Sequence, residues 1–121
     1  MLRPALALAL DLVLIVVFAI AGRRTHDEGS TLGGTLLVAA PFLIGYLVAA
    51  AVVRLDRAPG SLRRAVPAWL GGIALGMLLR GTAFDRGTAA SFVVVAFVAT
   101  GVLLLGWRVL ALLARRRLAT P

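Results

Sequence analysis

The sequence predicts an all-α protein, an integral membrane four-helix bundle with antiparallel up-down topology and both termini in the cytoplasm. The prediction rests on composition and on the placement of charge. Of the 121 residues, 61% are hydrophobic, whereas a soluble domain is usually about 45–50% apolar. The net charge is +8, because the chain has 13 basic residues, all arginine, and only five acidic ones. This combination excludes a soluble globule and a disordered chain.

Four apolar runs form a single transmembrane domain over residues 1–121, with spans at about 4–22, 32–53, 65–79 and 88–113. A span needs about 20 residues to cross ~30 Å of hydrocarbon, and helices are expected because lipid satisfies no backbone group. The third run has only 15 residues between Arg64 and Arg80. We expect it to span because arginine side chains can snorkel at both ends. The short connections favour antiparallel neighbours.

The arginines are divided unequally between the two predicted sides. One side carries nine, namely Arg3, Arg54, Arg57, Arg63, Arg64, Arg108, Arg115, Arg116 and Arg117, and the other carries four, Arg23, Arg24, Arg80 and Arg86. The positive-inside rule places the larger group in the cytoplasm, and Trp69 and Trp107 near those helix ends fit an aromatic belt. The prediction is a multi-pass protein of the bacterial cytoplasmic membrane, with anionic lipid attracted to its cytoplasmic face.

The first span has an alternative interpretation as a cleaved signal peptide, with an Ala-x-Ala site at residues 19–21. Against it, the apolar run is long for a signal peptide and contains Asp11.

Asp11 is the residue most suggestive of function, because a carboxylate within a span is costly and should face the bundle or a wet cavity. Tyr46 and Thr100 are expected at a similar depth. Counted along the helix from its outer end, Arg108 is expected ~12–14 Å deeper toward the cytoplasm. An Asp11–Arg108 pair is therefore possible but not favoured by depth. Asp11 either couples transport of a proton or cation, or is a packing carboxylate that is protonated and hydrogen-bonded to Tyr or Thr.

The predicted outer side carries a dense polar cluster of Arg23, Arg24, His26, Asp27, Glu28, Arg80, Asp85 and Arg86. A solvated loop with ion pairs is the plainer interpretation, and attraction of anions or lipid headgroups is the sharper one. We predict no metal site, because three adjacent residues cannot all point at one ion without a special loop.

Small residues recur on the third span at Ala68, Gly72 and Gly76, and on the second at Pro41, Gly45 and Ala49. Such a stripe lets another helix approach closely. The partner is either a helix of the same chain or a second copy, which would make a homodimer.

Several functional classes find no support in the sequence. There is no cysteine, so thiol chemistry and cysteine-based metal sites are excluded. Motifs for nucleophilic catalysis, phosphate cradling and zinc hydrolysis are missing. We predict no catalytic residue, no cofactor and no nucleic-acid partner, because the arginines bracket spans and no soluble domain is left.

One resemblance covers nearly the whole chain. It is carried by Asp11 and by the segments 18–26 (FAIAGRRTH), 76–80 (GMLLR), 87–96 (GTAASFVVVA) and 106–108 (GWR). These residues resemble the bacterial membrane family known as domain of unknown function 3054. The resemblance implies a small four-span protein, common in actinobacteria, and implies no activity and no site residue.

Three functional hypotheses follow. The first is a transporter- or channel-like oligomer that uses Asp11. The second is a non-catalytic accessory or scaffold subunit of a larger membrane or envelope-lipid complex. The third is a membrane enzyme acting on lipid through His26, Asp27 and Glu28, which we do not expect.

Overall fold

The structure, a computed structural model, describes residues 3–25, 32–83 and 89–119. It contains four long α-helices, α1 (Pro4–Thr25), α2 (Leu32–Val52), α3 (Leu62–Gly81) and α4 (Ala90–Ala119), with a short 3-10 helix, Leu55–Arg57, between α2 and α3. The described residues form no strand. All four helices are long and apolar enough to cross a membrane. The prediction of an all-α, four-span protein is confirmed, and the chain is a small multi-pass membrane protein.

The third helix corrects one expectation. The apolar run of 15 residues becomes a helix of 20 residues that begins at Leu62 and ends at Gly81, so the helix includes the arginines on both sides of the run. Arginine is a good helix former, and the helix continues through Pro67 at the loss of one backbone hydrogen bond, because a proline at the sixth helical position has no N–H to donate to the carbonyl oxygen of Arg63. The helix therefore has the length that a membrane span needs.

The most extensive interface between described helices is that of α2 with α3. Glycine residues allow the two backbones to approach closely there. A Cβ atom built on Gly45 would lie 2.5 Å from the carbonyl oxygen of Gly72 and 2.7 Å from the backbone nitrogen of Gly76. Ala68, Gly72 and Gly76 are all buried. The predicted small-residue stripe therefore packs against a helix of the same chain, α2, rather than against a second copy.

The packing order of the contacts shows the direction of the helices. Ala49, near the end of α2, lies beside Gly71 in the middle of α3, whereas Phe42, seven residues earlier in α2, lies beside Gly76, five residues later in α3. Likewise Asp11 of α1 meets Tyr46, whereas Phe18 packs on Phe42. Each pair therefore runs antiparallel.

An aromatic cluster packs inside the bundle beside the C-terminal half of α1. Phe18 meets Phe42 edge-on with ring centroids 5.8 Å apart, and both lie 6.2 Å from Phe92. The guanidinium of Arg80 stacks over the Phe92 ring at 4.2 Å, which is a favourable cation–π distance. Arg80 therefore takes part in the packing of α3 on α4 in addition to its predicted place on the surface.

Candidate functional site

Asp11 lies at the centre of a buried polar cluster that joins α1, α2 and α4. Its Oδ2 accepts hydrogen bonds from the Tyr46 hydroxyl at 2.5 Å and from Nη2 of Arg108 at 2.7 Å. Its Oδ1 accepts from the Trp107 indole and from Nη1 of Arg108, both at 2.9 Å. The side chains of Asp11 and Arg108 are both completely buried. The two charges form a bidentate pair, the strongest geometry for an arginine and a carboxylate.

Arg108 also binds backbone groups. Its Nε donates to the carbonyl oxygen of Pro59 at 2.9 Å, and Nη1 donates to that of Leu104 at 2.8 Å. The guanidinium carbon lies 4.4 Å from the centroid of the Trp107 ring. The buried Arg108 side chain therefore joins the segment between α2 and α3 to helices α1 and α4.

The pairing contradicts the expectation from helix depth. Arg108 comes 18 residues after the start of α4, and Asp11 comes 14 residues before the end of α1. At ~1.5 Å per residue these positions differ by only about 6 Å. Side chains lean toward the N-terminus of their helix, so in antiparallel helices Asp11 and Arg108 lean toward each other. The depth estimate failed because it used the ends of the apolar runs and ignored this lean.

The chemistry of the cluster follows from its hydrogen-bond count. An ionised carboxylate offers about four acceptor positions, and four donors of the chain occupy those of Asp11. The arginine cancels its charge, so the pair is neutral as a unit. The arrangement is that of a fully satisfied buried ion pair, whereas a site for a transported cation needs a carboxylate oxygen open to the cation.

Thr100 does not join this cluster, although it was expected at the depth of Asp11. Its hydroxyl donates to the Ala96 carbonyl and accepts from the Trp69 indole at 3.1 Å. The same indole lies 3.1 Å from the Phe97 carbonyl oxygen. Trp69 and Trp107 thus direct their N–H groups to acceptors inside the bundle, and an aromatic belt at the membrane surface does not account for these contacts.

The connection after α2 is tied down by two arginines. Nη1 of Arg64 donates to the carbonyl oxygens of Val53 and Arg54, which satisfies backbone acceptors at the end of a helix. Arg54 makes a bidentate pair with Asp56 at 2.9 and 3.0 Å, and both side chains are exposed. The hydrogen bonds from Arg54 lower the pKa of Asp56 below its usual value.

Two adjoining grooves lie at the end of the bundle that carries this connection. The larger, of about 740 Å³, has a mostly apolar lining that also carries Arg57, Ser61 and Arg115, and it reaches Arg108. The smaller, of about 430 Å³, is lined mainly by apolar residues of α1 and α2. Pro4, Asp56 and Pro59 line both, so the grooves are continuous.

Most of the predicted outer polar cluster cannot be placed. His26, Asp27, Glu28, Asp85 and Arg86 lie outside the described residues, and the description does not extend to the side chains of Arg23 and Arg24. Within residues 3–25, 32–83 and 89–119 no group of three His, Cys, Asp or Glu side chains is close enough to hold a metal ion. The interpretation of this cluster stays a prediction.

Sequence reasoning missed Trp107 and Pro59 as partners within the central cluster. A signal for the ion pair was available, because α1 holds one buried acid and the apolar part of α4 one buried base. Charge balance within lipid favours pairing two such residues. Nothing in the sequence distinguishes the Pro59 carbonyl as an acceptor, since its place depends on the fold of the connection.

Comparison with known proteins identifies a family. A family described as "Protein of unknown function (DUF3054)" matches residues 8–111, which include parts of all four helices. No curated protein matches the chain. No solved structure matches it either.

Proposed function

The chain belongs to the DUF3054 family, and we propose that it acts as a non-catalytic accessory or scaffold subunit of a larger assembly in the bacterial cytoplasmic membrane. The observation that carries the proposal is the saturated carboxylate of Asp11, with four donors from the chain itself. A carboxylate held in this way strengthens the bundle and leaves no oxygen for a passing cation. The excess of arginine on the side of the termini supports an orientation with both termini in the cytoplasm.

The outward face of α4 is the surface we propose for partner binding. Val94, Val98 and Val102 follow one another at intervals of four residues and are 61%, 60% and 67% exposed. Residues four apart form a straight ridge that packs into the groove of a neighbouring helix. The partner is a larger membrane protein, and a second copy of the chain is the competing occupant.

The test is purification of the tagged chain from its native membrane in mild detergent, with the mass of the complex measured. We expect a stoichiometric complex with one other membrane protein that Val98→Trp weakens. Val13→Trp is the matched control, because Val13 is similarly exposed but lies on α1. A chain that is monomeric throughout, or a homodimer alone, would overturn the proposal.

A transporter- or channel-like oligomer is the second candidate, and one observation favours it. The larger groove reaches Arg108, so opening the Asp11–Arg108 pair would expose a carboxylate to that groove. In proteoliposomes this candidate requires proton or cation flux that Asp11→Asn abolishes. We expect no flux from the wild type or from Asp11→Asn. Flux in the wild type would overturn the accessory proposal.

An enzymatic role for His26, Asp27 and Glu28 is not part of the proposal. Alanine at all three positions should leave the lipid composition of the membrane unchanged. A reproducible change in one lipid class would instead support a lipid-acting enzyme.

A further inference from the structure

The two continuous grooves differ in chemistry in the way that the two parts of a phospholipid differ. The smaller groove runs between α1 and α2, with Ala5, Leu8, Leu47 and Ala51 in its wall. The larger one is bordered by Arg57 and Arg115. Volumes of 430 and 740 Å³ fall in the range of about 300–1,000 Å³ that is usual for ligand pockets.

The larger groove carries an excess of positive charge. Two of its charged members are already neutralised, Asp56 by Arg54 and Arg108 by Asp11. Neither Arg57 nor Arg115 forms an ion pair within the part of the chain that the structure describes. The two exposed guanidinium groups are therefore available to an anion.

The N-terminal end of α3 adds to the positive electrostatic potential of the larger groove. Ser61 lines the groove and precedes the helix without making a side-chain capping hydrogen bond. The free N–H groups of a first helical turn favour a negative group beside them. The arginines and the helix end thus act on the same space.

We propose that the two grooves form one binding site for an anionic glycerophospholipid. The phosphate lies between Arg57 and Arg115, and an acyl chain lies along the groove between α1 and α2. A lipid is favoured over a free phosphate ion because the basic groove continues into an apolar one through Pro4 and Pro59. The site gives the expected attraction to anionic lipid a defined place, and it does not depend on the accessory role.

Native mass spectrometry of the full chain tests the proposal, with equal amounts of phosphatidylglycerol and phosphatidylcholine added. The wild type should retain one phosphatidylglycerol in preference to phosphatidylcholine. Arg57→Ala with Arg115→Ala should reduce that preference about 30-fold, from the attraction expected of two arginines near anionic lipid. Arg3→Ala with Arg63→Ala is the control, because it removes the same charge from exposed sites that do not line the grooves.

Two further arms distinguish the lipid from other anions and from general charge attraction. Ala5→Trp fills the apolar groove at an exposed position and should abolish retention of either lipid. Inorganic phosphate at millimolar concentration should not displace phosphatidylglycerol. The proposal is overturned if the wild type shows no preference, if the control pair loses as much as the groove pair, if Ala5→Trp retains lipid, or if phosphate displaces it. None of these results bears on the partner complex or on ion flux, so the two proposals fail separately.

Discussion

The contact of α1 with α4 and the contact of α2 with α3 are built on opposite principles. Asp11 and Arg108 join the first pair through buried charges. The second pair is joined by backbone approaching backbone, since Gly45 has no side chain to separate it from Gly72 and Gly76. A membrane offers helices little hydrophobic reason to associate, so packing and hydrogen bonds must supply the attraction. This chain uses one of these means at each interface.

The difference has a consequence for substitution. A buried ion pair fails severely when one partner is removed, but two apolar residues can replace both partners. A glycine interface is destabilised by any larger residue, whether one glycine is replaced or several, because the close approach leaves no space for a Cβ atom. The predictions below separate the two principles, from the largest expected effect to the smallest.

Arg108→Met should lower the free energy of unfolding by about 3–5 kcal/mol, because it leaves the Asp11 carboxylate buried without its counter-ion. Steric trapping in bicelles measures this quantity. Arg115→Met is the control, since Arg115 lies on the same helix and is exposed. Equal stability of the two variants would show that the buried pair does not hold the bundle.

Gly45→Ala should cost about 3 kcal/mol, the upper end of the usual range for overpacking, because the new Cβ meets backbone atoms that cannot move independently. Gly106→Ala is the matched control, since nothing lies within 4 Å of its Cβ position. The control should be neutral or slightly stabilising in the same unfolding measurement. If both substitutions are neutral, the α2–α3 interface is looser than the structure indicates.

Tyr46→Phe should cost about 1.5–3 kcal/mol, the usual range for a hydrogen bond to a charged group. The ring remains in place and only the donor to Asp11 is lost. The same unfolding measurement on Trp69→Phe, which keeps an aromatic ring but removes one N–H donor shared by two neutral acceptors, should give a smaller loss. A larger loss for Trp69→Phe would place the main polar contact of the bundle elsewhere.

The exposed pair of Arg54 and Asp56 gives the smallest effect. Its hydrogen bonds lower the pKa of Asp56 in the folded protein, so its contribution is present at neutral pH and is lost as the pH falls through that lowered pKa. NMR titration of the Asp56 carboxyl should show that Arg54→Ala raises the pKa toward its usual value, with only a small loss in the free energy of unfolding at neutral pH because both side chains are exposed. An unchanged pKa would mean that the pair does not persist in solution.

The sequence predicts the glycine interface better than the charged one. Ala68, Gly72 and Gly76 recur at a spacing that defines one face of a helix, and the matching small residues of α2 do the same. Local periodicity therefore identifies both faces, although it leaves open whether the partner belongs to the same chain. The charged contact instead joins residues 97 positions apart. It depends on the true ends of α1 and α4 and on the lean of two side chains, which composition and run length do not record.

The most direct test of the account is a double-mutant cycle between Asp11 and Arg108, built from Asp11→Leu, Arg108→Met and the double variant. Unfolding in bicelles gives the free energy of each. The account predicts that each single substitution destabilises by about 3–5 kcal/mol and that the double variant loses no more than one single variant, far less than the sum, even though Tyr46 and Trp107 lose their acceptor in it. Losses that simply add in the double variant would contradict a pair whose two charges hold each other inside the membrane.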